Sequence, residues 1–149
     1  MIATTTIFSS ASADGVAIEY KKSRQHDFVV AGDGVTRKLS LPVSIVDWRI
    51  DCSQSRAVIW GQPHKPTPLG VKPYAVAYVV DIRRLKVLQR YSMTRGPYNA
   101  EFSADRTRIL IDDLLIEFNS GRLVQNFSSK DFLFDREVCE DFQGRQLSE

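Results

Sequence analysis

From Val16 to Phe127 the apolar residues fall in short runs, many alternating with polar ones, and turn residues separate the runs. That rhythm admits β-strands and little else. Val16–Tyr20 alternates behind an Asp14-Gly15 turn. Phe28-Val29-Val30-Ala31 ends at Gly32-Asp33-Gly34, a hairpin signal because glycine tolerates the positive φ of tight turns. Val35–Leu41 closes at Pro42, Ile45–Ile50 alternates, and Ala57–Trp60 stops at Gly61. Residues 61–73 carry four prolines and two glycines, which forbids regular structure and predicts the longest loop. Ala75–Val80, Lys86–Tyr91, Tyr98–Phe102, Arg108–Ile111, Leu114–Phe118 and Arg122–Phe127 complete the series. The expectation is a single all-β domain, residues 1–149, of short antiparallel strands. A chain of 149 residues suits one such domain and can bury a core without staples.

Helical spacing enters only at the end. Phe134, Val138 and Phe142 are four apart, with Ser129 placed as an N-cap and Gly144 as a stop. This predicts a short C-terminal helix, with an extended Phe132-Leu133-Phe134 as its competitor.

The chain also repeats itself. Shifted by 52, Ile50–Ile59 lies on Phe102–Ile111: apolar ends meet apolar ends, a polar turn meets a polar turn, and Arg56 meets Arg108. Shifted by 36, Val79–Tyr91 lies on Leu115–Phe127, and 9 of 13 positions match in class. The unit is strand, polar turn, strand, loop, strand, turn, strand, occurring about twice.

The segments Phe102-Ser103-Ala104-Asp105-Arg106-Thr107-Arg108-Ile109-Leu110-Ile111 and Ile116-Glu117-Phe118-Asn119-Ser120-Gly121-Arg122-Leu123-Val124 resemble a blade of a WD-repeat-like or quinoprotein-like β-propeller. In such blades a Ser-x-Asp turn joins the second and third strands. An Asp/Asn-x-x-Gly-Arg/Lys turn joins the third and fourth, and Val80–Val87 repeats that turn without its glycine. The resemblance spans about residues 45–127. It implies antiparallel, blade-like sheets. A closed ring takes about 4–8 blades of about 40–45 residues. These residues hold at most three, so the expected form is an open sandwich or an incomplete propeller.

Catalytic chemistry finds little purchase. His26 and His64 are the only histidines, and neither has a second ligand at metal spacing, so no metal site and no cofactor are expected. Asp112-Asp113 reads as a turn, because neighbours on a strand point to opposite faces. Ser103 and Ser120 lie in polar turns without a nucleophile elbow. Cys52 and Cys139 read as ordinary semi-buried thiols, with one long-range disulfide as the alternative. The expectation is a chain that is not an enzyme.

Charge points toward partners. The net charge is only +2, too balanced to imply nucleic acid. Residues 131–149, however, hold six acids against Arg136 and Arg145. Asp131, Asp135, Glu137, Glu140 and Asp141, with Phe132 and Phe134, form a candidate partner-binding segment; packing on the chain's own sheet is the alternative. Tyr91 and Trp60 are further candidate aromatic anchors. A second candidate site is the basic set Arg83, Arg84, Lys86, Arg90 and Arg95, which suits an anionic ligand or single-stranded nucleic acid. Interleaved acids make nucleic acid the lesser expectation. As a whole, a small β-rich chain with an acidic aromatic end is similar to the immunity partners of bacterial toxins. That resemblance implies a protein that occludes a cognate toxin. Neither a signal-like leader nor an apolar run of about 20 residues stands in the sequence, so the chain is expected in the cytoplasm, off the membrane.

Overall fold

A computed structural model describes residues 10–11, 17–64, 75–93, 97 and 99–139. Its strands are β1 (Ser10–Ala11), β2 (Ala17–Ser23), β3 (Asp27–Gly32), β4 (Val35–Ser40), β5 (Val43–Ile50) and β6 (Arg56–Pro63). They continue as β7 (Ala75–Asp81), β8 (Lys86–Met93), β9 (Ala100–Phe102), β10 (Arg108–Ile111) and β11 (Leu114–Glu117). All pair antiparallel, in three sheets ordered β1-β2-β3-β4, β5-β6-β7-β8 and β11-β10-β9. The chain is therefore all-β, and no described helix is long and apolar enough to cross a membrane.

The hairpin signals act where they stand. β3 and β4 pair Gly32 with Val35, leaving Asp33 (φ 52) and Gly34 (φ 72) as a two-residue turn in the left-handed region. Strands twist in the sense such turns require. Asp112-Asp113 is likewise a turn, joining β10 to β11.

The middle sheet has no wet face over its central strands. In β6, Ala57 and Ile59 pack with Tyr20, Phe28 and Val30 of the first sheet. Val58 and Trp60 point the other way, to Phe102, Ile109, Ile111 and Ile116 of the third. β7 divides in the same manner, with Val76, Tyr78 and Val80 on one side and Ala77 and Val79 on the other. Burial on both faces explains why these two strands read as nearly continuous apolar runs. β4 and β8 are edge strands and are largely exposed.

Two expectations need correction. Arg122–Phe127 is not a strand: only Leu123 bridges, to Ile116. β11 has four residues; once Glu117 has bonded Arg122 and Leu115 has bonded Val124, little ladder remains to pair. The C-terminal helix is also absent among the described residues, where Ser129–Phe132 makes a lone 3₁₀ turn. The chain then runs extended beside β9, with Ala104 N–H donating to Asp135 O (2.7 Å) and Glu137 N–H to Phe102 O (3.0 Å). The spacing of four marks no common face here, since Phe134 is half-buried and Val138 is 83% exposed; helix and extended segment compete on other grounds. The available sheet edge decides between them. Phe142 and Gly144 lie outside the described residues.

Candidate functional site

The repeated turns hold the site in place. Asp51 is fully buried. Its carboxylate accepts N–H bonds from Ser53 (3.0 Å), Ser55 (2.8 Å) and Arg56 (2.6 Å), and one from the Ser53 hydroxyl. The chain reverses through Gln54 at φ 56. Fifty-two residues later Ser103 Oγ accepts from Thr107 (3.0 Å) and Arg108 (2.9 Å), and Arg106 takes φ 58. Asp105 caps this second turn, and hydrogen bonds from Thr107 and Ser103 hold its carboxyl below the usual aspartate range. The 36-residue shift also holds in backbone conformation, with Leu85 (φ 52) and Gly121 (φ 74) both in the left-handed region. Each of these two turns exposes a pair of carbonyls to an arginine from the preceding sheet. Arg37 donates to Ile82 O and Arg83 O; Arg56 donates to Phe118 O and Asn119 O.

The acidic candidates gather on one segment, residues 127–139, which straps the edge of the third sheet. Asp131 is exposed and caps the 3₁₀ turn, accepting Ser128 N–H at 2.6 Å. Phe132 is half-buried edge-on against Phe127, ring centres 5.1 Å apart. Phe134 is half-buried beneath the Arg136 guanidinium at 4.9 Å, and Asp135 is exposed. Arg136 also pairs with Glu101 at 2.7 Å. Glu137 is half-buried, and its carboxylate accepts Cys52 N–H at 2.7 Å. Burial and the nearby Asp51 charge push its pKa up against the pull of that bond. Glu140 and Asp141 lie outside the described residues.

A disulfide between Cys52 and Cys139 closes the strap, with Cα atoms 5.2 Å apart. The thiol reading is thereby replaced by its alternative: the Asp51 turn presents Cys52 to the end of the returning strap. Beside the bridge lies a cavity of about 230 Å³, lined by Arg49, Glu101, Arg136, Glu137 and Cys139 among others.

Sequence reasoning missed two strap residues. Leu133 is 79% exposed and Val138 83%, the most exposed large apolar side chains described. Their composition signals a core, and only the strap's path turns them outward. Trp60, in contrast, is buried at 4% and cannot anchor a partner. Tyr91 is half-buried and donates its hydroxyl proton to Gly121 O.

The basic candidates occupy another region. Arg83, Arg84, Lys86 and Arg90 are all exposed, at the β7–β8 turn and along β8, and Arg37 joins them from β4. Arg95 lies outside the described residues. The two histidines, far apart in sequence, come together with ring centres 6.2 Å apart. His64 Nε2 is 3.2 Å from Ser44 Oγ, and His26 Nε2 is 3.5 Å from Asp27. No protein-family model matches the chain, and no curated protein is significantly similar to it.

Proposed function

We propose that the chain is a non-enzymatic protein-binding module that recognises its partner through the strap. The observation that carries this reading is the exposure of Leu133 and Val138 on a segment tied down at its far end by a covalent bond. Exposed apolar side chains on a fixed backbone bind with less ordering cost than the same residues on a loose tail. The exposed Asp131 and Asp135 flank Leu133 along the strap, which suits a partner with a basic, apolar-lined cleft. The narrower form of the proposal is an immunity protein that occludes the active site of a cognate bacterial toxin. The scaffold is then an open stack of blade-like sheets, supported by the turns that repeat at 52 and 36 residues. A cytoplasmic home accompanies the immunity reading, whereas the formed disulfide supports an oxidising compartment.

The test is calorimetric binding to the product of the adjacent gene. Leu133→Asp and Val138→Asp should each weaken binding by about 2 kcal/mol or more, the hot-spot range, while the Arg83→Glu/Arg84→Glu double variant should bind as wild type. Unchanged affinity in both strap variants would overturn the reading. So would a steeply salt-dependent oligonucleotide complex lost on Arg83→Glu/Arg84→Glu, which is the signature of the basic site.

A further inference from the structure

The anchor of the strap places three metal-ligating groups together. Cys52 Sγ, Cys139 Sγ and a carboxylate oxygen of Glu137 all lie within 4.8 Å of one another, and all three residues are half-buried. The turn that presents Cys52 does not need a cysteine, since its copy 52 residues on carries Ala104 at that position. Nor does the turn depend on the bridge, because the Asp51 carboxylate holds it through three backbone N–H groups. Glu137 is oriented in its turn by the Cys52 N–H and by its own backbone bond to Phe102. Such supporting bonds are what fix a carboxylate as a metal ligand.

We infer that the reduced protein binds one Zn²⁺ ion through Cys52, Cys139 and Glu137. The disulfide and the metal are then two states of one site. A dithiol reductant supplies two electrons and two protons: the Cys52–Cys139 bond breaks, two thiols form, and the dithiol becomes a disulfide. Metal binding then releases both thiol protons, since the thiolate is the ligand. Zn–S bonds of about 2.3 Å at tetrahedral angles put the sulfurs about 3.8 Å apart. That is less than about 2 Å beyond their bonded separation, so side-chain rotation suffices. The adjoining cavity leaves room for water as the fourth ligand. Two sulfurs and one oxygen favour zinc over magnesium or calcium.

The experiment is an anaerobic titration of the full chain, reduced with a phosphine, using Co²⁺ as a spectroscopic probe and Zn²⁺ to displace it. One equivalent of Co²⁺ should raise a sulfur-to-cobalt band with tetrahedral visible bands, and Zn²⁺ should abolish both. Cys139→Ser should lose the band, and Glu137→Gln, which keeps the bridge and can be checked for folding when oxidised, should bind at least about tenfold more weakly. The oxidised protein should give no band. If reduction unfolds the chain, Zn²⁺ should restore its circular dichroism. The inference is overturned by a folded reduced protein without the band, by equal affinity in Glu137→Gln, or by an unfolded reduced chain that Zn²⁺ leaves unfolded.

Discussion

Single carboxylates carry much of the local order. Asp51 satisfies three backbone N–H groups at a buried turn, and removing it strands all three. Asp51→Ala should cost about 3 kcal/mol, the upper range for hydrogen bonds to a charged group. Ser103→Ala removes a neutral acceptor from the copy of that turn, and should cost only about 1 kcal/mol. Urea denaturation of the two variants checks the order. Asp27 makes a pH argument. The Ser40 hydroxyl, 2.6 Å away, lowers its pKa more than nearby Lys38 and His26 do. The unfolded chain therefore holds the extra proton between the lowered and the ordinary value, and in that window stability rises with pH. The Asp27 contribution is complete above the ordinary aspartate pKa and is lost as acid approaches the lowered one. Ser40→Ala should flatten this loss, read as a shallower fall in urea midpoint from about pH 6 to pH 3.

At the scale of elements, close approach matters more than propensity. Gly61 pairs with Ile45 beside the β5 bulge, and a Cβ there would lie 2.1 Å from Ser44 O. The obstruction is backbone, which cannot rotate aside. Gly61→Ala should therefore cost about 3 kcal/mol, the upper end of overpacking, seen as a lowered urea midpoint without a change in slope. Which strands form was legible from alternation and turn residues, because both are local. The strap was not: the spacing of Phe134 and Val138 suggested a helix, and pairing along the free edge of β9 prevailed.

Across the whole molecule, the sheets are joined by two apolar layers, by arginines seated on the next sheet's turn, and by one covalent link. Arg56 bonds two carbonyls, pairs with Asp81 at 3.5 Å and lies over the Phe118 ring at 5.4 Å. It thereby joins the middle sheet to the third. The disulfide joins residues 87 apart, and a loop of that length carries a chain-entropy term of about 4–5 kcal/mol. Cys52→Ser should therefore lose about 4 kcal/mol under metal-free conditions, measured against the oxidised wild type in urea.

By itself the sequence determined the all-β class, most of the strands, the hairpin at Asp33-Gly34 and the doubled turn chemistry, since each follows from side chains within a few residues of one another. It also marked 131–141 as acidic and aromatic. Only the tertiary structure decided that Cys139 meets Cys52, that Glu137 turns inward while Leu133 and Val138 turn out, and that Trp60 is sealed in the middle layer. Those outcomes depend on where distant segments return, and no period or spacing along the chain encodes that path.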